Sequence, residues 1–192
     1  FKLWLAQVGR ERIEETIDPE QAIDRALETY LKKGYSEEWV HQRLLAIRIR
    51  NELTDEWKKR GVQKGREYAI LTDEITRAWA GMNTRQYKNL KGLRKENLRD
   101  DMSDLELVLT MLAEASTTDI AKAEQPQGFD ENQKVARRGG NVAGVARKAL
   151  EVETGKPVVT AQNAESFRQL VTDIVTDAAQ LPEQTEENEN GK

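Results

Sequence analysis

Helix-start signals followed by apolar residues at helical spacing recur along this chain, and they constrain its fold more than any other feature. Asp18-Pro19 and Ser36 are typical of helix starts, and Ser103-Asp104-Leu105-Glu106 has the form of a capping box. After Asp18, apolar residues recur with a period near 3.6, at Ala22, Ile23, Ala26, Leu27, Tyr30 and Leu31. No segment alternates as a half-buried strand would. The sequence therefore predicts an all-α fold, a multi-helix bundle.

Glycines and capping residues divide the chain into predicted helices. Gly34, Gly61 and Gly81 are expected to end helices, because a left-handed residue is favoured there. The expected helices cover 18–33, 36–60 with a break near 51–55, 68–80, 84–90, 103–123, 130–153 and 163–181. The helix at 130–153 is expected to be weakened at its glycines, and 155–160 should be an extended connector. These boundaries predict an N-terminal helical segment at 1–61 and a C-terminal helical domain at 68–181.

The two ends of the sequence differ sharply in character. Residues 182–192 contain four Glu, and Pro182 is their one apolar residue, so we expect a disordered acidic tail. The chain opens at Phe1 with Phe-Lys-Leu-Trp-Leu, an apolar helical pattern without an initiator Met, and Lys2 interrupts it, unlike a signal peptide. We interpret this opening as the start of a fragment.

Composition excludes several classes of site. The sequence has no Cys, so it holds no disulfide, zinc-thiolate cluster or cysteine nucleophile, and a reducing compartment is expected. His41 is the single histidine, which excludes His-pair metal sites. The sequence contains no run of about 18 apolar residues, the length that a membrane span requires. We expect a cytoplasmic chain with no membrane association and no cofactor.

Charge is concentrated in blocks although the chain as a whole is near neutral, at −4. Residues 85–99 hold six basic side chains against Glu96, and residues 134–148 hold five without any acid. Between them, residues 100–131 hold nine acids against Lys122. The candidate nucleic-acid-binding residues are Arg85, Lys88, Lys91, Arg94, Lys95, Arg99, Lys134, Arg137, Arg138, Arg147 and Lys148.

Three interpretations of these blocks remain open, and in one of them the cations bind a protein partner of complementary charge. The other two are as follows. In the first, the cations bind nucleic-acid phosphates, Gly92 and Gly139-Gly140 let backbone amides approach a phosphate, and Tyr87 stacks on a base. In the second, each block is a solvated helix face that pairs with the acidic residues of 100–131.

Catalytic signals are weak. Asp100, Asp101, Asp104 and Glu106 resemble the acidic cluster of a metal-dependent nuclease, but two of them already serve a helix start. His41 is expected to be a partly buried structural residue. Four residues, Trp4, Trp39, Trp57 and Trp79, fall on apolar faces and are predicted to lie in the core. The sequence therefore indicates a protein that is not an enzyme and has no metal site.

Two stretches resemble bacterial BRO-family proteins, relatives of prophage antirepressors. The first resembles the segment that follows their N-terminal domain and comprises Phe1–Gly9, Arg10–Arg12, Asp18–Glu20, Ile23–Glu28 and Tyr30–Tyr35. The second resembles their C-terminal half, which is shared with DNA damage-inducible protein D, and comprises Lys91–Asp100, Met102, Thr110–Thr118 and Val135–Gly140.

The resemblance implies a DNA-associated regulatory module of the prophage antirepressor or DNA-damage-response type. It implies DNA as a partner, with single-stranded DNA included, and a BRO N-terminal domain that would precede Phe1. The alternative is a protein-interaction module that captures a repressor or a recombinase without touching DNA. Homo-oligomerisation stays open.

Overall fold

Up to residue 162, the predicted helix starts lie within two residues of helix starts in a computed structural model, which describes residues 1–162. Within that range the chain forms helices and no strand. The seven α-helices of this range are Lys2–Ile17 (α1), Glu20–Lys32 (α2), Glu37–Lys59 (α3), Arg66–Ala80 (α4), Thr84–Leu90 (α5), Asp104–Glu124 (α6) and Gly128–Thr154 (α7). A 3₁₀ turn, Leu98–Asp101, precedes α6. The all-α prediction is confirmed.

One hydrophobic core joins α3 to the helices that follow it. α7 packs against both α4 and α6, and α3 packs against α6. Trp57 and Leu53 of α3 share this core with Leu71 of α4 and Leu107 of α6, all of them with no exposed surface. The predicted division at 61–67 is therefore a turn inside one core. It does not separate two independent cores.

α1 and α2 lie at the margin of this core and contribute no fully buried side chain. Tyr30 of α2 makes an edge contact with Trp39 of α3, with ring centroids 5.7 Å apart. Trp39 in turn donates its indole N–H to the carbonyl of Met102, 3.1 Å away. On α1, Trp4 is 59% exposed, so the prediction that it lies in the core is wrong, whereas it is right for Trp39, Trp57 and Trp79.

Two further local predictions are corrected. α3 runs without a break through 51–55, because Leu53 and Trp57 are held in the core. α7 is continuous through its glycines, and the weakening expected there stays a prediction. His41 points into solvent, with its side chain 63% exposed and Nε2 lying 3.6 Å from Glu37 Oε1, so it is not a partly buried residue.

The capping predictions are largely confirmed. The Ser36 hydroxyl accepts a hydrogen bond from the amide of Trp39, and Ser103 and Glu106 form the expected capping box. The cap of α5 is Asn83, one residue before the predicted Thr84. The helix predicted at 163–181 and the tail at 182–192 lie outside the described residues. No helix within residues 1–162 is both long and apolar enough to cross a membrane.

Candidate nucleic-acid interface

The outward face of α7 carries most of the second basic block. At 100° per residue, Lys134, Arg137, Arg138 and Lys148 fall within one side of the helix, together with Asn141. All five are exposed. No acid occurs between residues 132 and 150. With a rise of about 1.5 Å per residue, this basic face extends for about 21 Å from Lys134 to Lys148.

The opposite face of α7 explains its glycines. A Cβ on Gly139 would lie 2.6 Å from the backbone of Thr117 in α6, and one on Gly140 would lie 2.7 Å from Ile75 O in α4. Both glycines are buried between these helices. The prediction that Gly139-Gly140 brings amides close to a phosphate is therefore wrong, because these glycines permit close helix packing. That packing fixes which side of α7 faces solvent.

Five of the eleven candidate cations form ion pairs within the described part of the chain. Their acidic partners lie 2.5–3.2 Å away, and the pairs are Lys91–Glu106, Arg99–Glu114, Arg137–Glu74, Arg138–Glu124 and Arg147–Glu151. Three of these partners belong to the acidic segment 100–131. The interpretation in which the basic blocks pair with the acidic residues of 100–131 therefore holds for three of the eleven candidate cations.

Lys91 lies at the centre of a buried polar cluster. Its Nζ is 2.7 Å from Glu106 Oε2, and neither side chain has any exposed surface. It also donates to the carbonyl of Gln162, and the amide of Thr160 approaches Glu106 Oε1 at 3.4 Å. The segment after α7 thus closes over this cluster. The prediction that Lys91 contacts nucleic acid is wrong, because no ligand can reach its ammonium group in this conformation.

Tyr87 belongs to the same cluster. Its hydroxyl donates to Glu106 Oε1 at 2.7 Å, and its ring packs against Trp79 with centroids 5.9 Å apart. The residue has no exposed surface, so the prediction that it stacks on a base is wrong. Burial raises the pKa of the Tyr87 hydroxyl far above its usual value of 10.0, and the Glu106 carboxylate raises it further.

Because the folded protein holds the Tyr87 proton more tightly than the unfolded chain, Tyr87 should stabilise the fold fully below pH 10 and less above it. The unfolded chain loses the proton near pH 10. The stability difference between wild type and Tyr87→Phe should therefore be constant from pH 7 to 9 and shrink by up to about 1.4 kcal/mol per pH unit above 10. Denaturant unfolding at each pH measures this difference. A difference that stays constant to pH 11 would show that Tyr87 ionises normally.

Arg99 and Arg147 are mostly buried. Arg99 has a side chain 21% exposed and shares the carboxylate of Glu114 with Arg50 of α3. Arg147, 17% exposed, pairs with Glu151 across one helical turn and reaches the junction of α4 and α5, near Gly81. These two arginines hold the fold together and offer little surface to a polyanion.

Six candidate cations form no ion pair within 4 Å among residues 1–162. They are Arg85, Lys88, Arg94, Lys95, Lys134 and Lys148, and all but the half-buried Lys88 are exposed. In the loop after α5, the Glu96 carboxylate accepts hydrogen bonds from the amides of Arg94 and Lys95. Its own amide and those two amides lower the pKa of Glu96. Gly92 in this loop has a φ of +72° and open space around it, so a phosphate approach there remains a prediction.

Two of the four acids that resemble a nuclease cluster have other partners. Asp100 Oδ1 lies 2.8 Å from Arg43 Nε, and Glu106 faces Lys91 and Tyr87. Among the described residues, no group of three potential ligands is placed to hold a metal ion.

Sequence reasoning missed Arg43 and Arg50 of α3. Arg43 is 5% exposed, and Arg50 is half-buried beside Glu114 with its guanidinium 5.1 Å from the Trp57 ring. The available signal was their spacing, because both fall on the apolar stripe that leads to Leu53 and Trp57. A cation on such a stripe indicates a buried acidic partner.

Comparison of the sequence with known proteins does not assign this chain to a family. No protein-family model matches the sequence, and no curated protein matches it significantly.

Proposed function

We propose that this chain is a non-enzymatic, DNA-associated regulatory module that contacts nucleic-acid phosphates through the outward face of α7. The observation that carries the proposal is the exposed basic face formed by Lys134, Arg137, Arg138 and Lys148, a stretch of α7 that contains no acid of its own. Exposed cations along about 21 Å would release counterions from a polyanion on binding.

The existing ion pairs on this face are compatible with phosphate binding. Arg138 and Glu124 are 56% and 46% exposed, and an exposed pair of this kind contributes only about 0–1 kcal/mol, so a phosphate can replace Glu124 at little cost. Arg137 is 62% exposed and pairs with Glu74, which is 12% exposed, through Nε and Nη2. Its Nη1 is left to contact a phosphate while that pair stays in place. Arg94 and Lys95, in the loop after α5, would add further contacts.

The chemistry of the face favours binding without sequence preference. Apart from Asn141, its polar side chains are cationic, and Lys ammonium groups act on phosphates as point charges. Phosphate contacts position a protein on nucleic acid and carry no base information directly. We therefore expect similar affinity for unrelated sequences.

The salt dependence of binding tests this proposal. Lys134→Gln combined with Lys148→Gln should weaken binding to a labelled duplex and reduce the slope of log K against log salt by about 2, because two phosphate contacts are lost. Fluorescence anisotropy titrations between about 20 and 200 mM salt measure the slope.

The matched control is Lys32→Gln combined with Lys33→Gln, which makes the same change in net charge at two exposed lysines at the end of α2, a helix that packs against α1 and α3. This control should keep the wild-type slope. If the two double variants give equal slopes, α7 is not the contact surface.

A second candidate function rests on a different observation. The apolar side chains of α1 are exposed, with Phe1 at 90%, Leu3 at 88% and Trp4 at 59%. Exposed apolar clusters favour protein partners, and the resemblance to BRO-family proteins suggests a repressor or a recombinase. Capture of either protein after complete nuclease digestion would support this candidate, and capture that disappears on digestion would count against it.

A further inference from the structure

A pocket of about 220 Å³ lies between α4, α5, the 3₁₀ turn and α6. Its walls carry the side chains of four threonines, Thr72, Thr76, Thr84 and Thr110, and two cations, Lys88 and Arg99. Its apolar wall is formed by Leu98 and Met102. No carboxylate belongs to the lining, although charged residues make up 33% of the chain.

Positive charge exceeds negative charge behind this pocket. Arg50 Nη1 and Arg99 Nη2 lie 3.2 and 2.5 Å from the same oxygen of Glu114, a carboxylate with 1% exposure. Two guanidinium groups therefore share one carboxylate. Burial lowers the pKa of Arg50. The carboxylate of Glu114 acts in the opposite direction, and the positive charge of Arg99 lowers the pKa further.

Arg99 keeps part of its guanidinium group accessible at this pocket. Its side chain is 21% exposed, and its ion pair with Glu114 is made through Nη2. Lys88 is half-buried on the same wall and forms no ion pair with a described residue. Its charge contributes to the lowered pKa of Glu96, but the Glu96 carboxylate already accepts hydrogen bonds from two backbone amides.

We propose that this pocket binds a small oxyanion, a phosphate group, held by Arg99 and Lys88 with the Thr84 hydroxyl as a further donor. The other three threonine hydroxyls donate to backbone carbonyls within their own helices. A phosphate offers several acceptor oxygens for the two cations, and charge-assisted hydrogen bonds of this kind are stronger than neutral ones. A cation is disfavoured by the positive surroundings. The volume lies below the range of about 300–1,000 Å³ typical of drug-sized ligands, so only a phosphate with a small attached group fits.

This pocket is distinct from the outward face of α7. Its lining comes from α4, α5, α6 and the 3₁₀ turn, and it includes no residue of α7. The same phosphate chemistry has two sources, free phosphate and the terminal phosphate of a nucleic-acid strand, and the test separates them.

The experiment titrates inorganic phosphate into the full ¹⁵N-labelled chain at constant ionic strength, with amide shifts as readout. Saturable shifts are expected at Thr84, Lys88 and Arg99, and Lys88→Gln should weaken the affinity about tenfold, since one charge-assisted contact is lost. Lys58→Gln should leave it unchanged. A 5′-phosphorylated dinucleotide that competes, when its 5′-hydroxyl form does not, identifies a strand terminus as the source. Failure to compete identifies free phosphate.

Shifts that do not saturate, shifts confined to α7, or an unchanged affinity in Lys88→Gln would overturn the proposal. Lys134→Gln with Lys148→Gln should retain phosphate binding in the pocket even where it weakens duplex binding. The two proposals can therefore fail independently.

Discussion

Replacing Lys91 by methionine is expected to lower the free energy of unfolding by about 3–5 kcal/mol, because it leaves the Glu106 carboxylate buried without its cation. Both side chains are fully buried at an N–O distance of 2.7 Å, so water cannot replace the lost ammonium group. The change also removes the donor to the carbonyl of Gln162. Denaturant unfolding monitored through the four tryptophans measures the loss.

Two controls make this expectation specific. Lys88→Met removes a lysine one turn earlier on the same side of α5 and should change stability by less than about 1 kcal/mol, since Lys88 forms no ion pair with a described residue. Lys91→Met combined with Glu106→Gln should recover part of the loss, because an amide is easier to bury than an unpaired carboxylate. A loss of under about 1 kcal/mol in the single variant would contradict the buried ion pair.

Gly139→Ala combined with Gly140→Ala is expected to lower the free energy of unfolding by about 3 kcal/mol. This is a net loss, because alanine has a higher helix propensity than glycine by roughly 1 kcal/mol per site and would otherwise stabilise the helix. The added methyl groups would meet Thr117 of α6 on one side and Ile75 and Ala78 of α4 on the other. A rigid shift of α7 that relieved one contact would tighten the other. The stability loss should be visible in the same denaturant experiment.

The matched control for this variant is Asn141→Ala, one residue further along α7 on its exposed face. It should be neutral or slightly stabilising, because alanine favours the helix and no packed neighbour is disturbed. If the double alanine variant were as stable as this control, the glycines would not be required for close packing of α7.

The fold was largely accessible from the sequence because its signals are local. Ser36, Ser103 and Glu106 act within one helical turn, so their capping roles follow from spacing alone. The predicted break in α3 was wrong for a nonlocal reason. Leu53 and Trp57 pack against residues of other helices, and such contacts decide whether a long helix stays intact.

The division of the basic residues could not be read from the sequence. Lys88 lies on α5 and Lys91 directly follows that helix, three residues later, yet Lys88 is half-buried without an ion pair to a described residue and Lys91 is buried against Glu106. Tertiary contacts create that difference. Pairing of Arg99 with Glu114 likewise depends on how the 3₁₀ turn packs on α6. The blocks of charge thus indicated where cations lie, but not which of them a ligand can reach.

The most direct measurement is the binding of the unaltered chain to labelled single- and double-stranded oligonucleotides of unrelated sequence, followed by fluorescence anisotropy as salt is raised. The basic face of α7 predicts saturable binding near 20 mM salt, similar affinity for each sequence, and a log–log salt slope between about −2 and −4 for duplex DNA, corresponding to two to four phosphate contacts. No saturable binding to either form at low salt would contradict the proposed nucleic-acid contact.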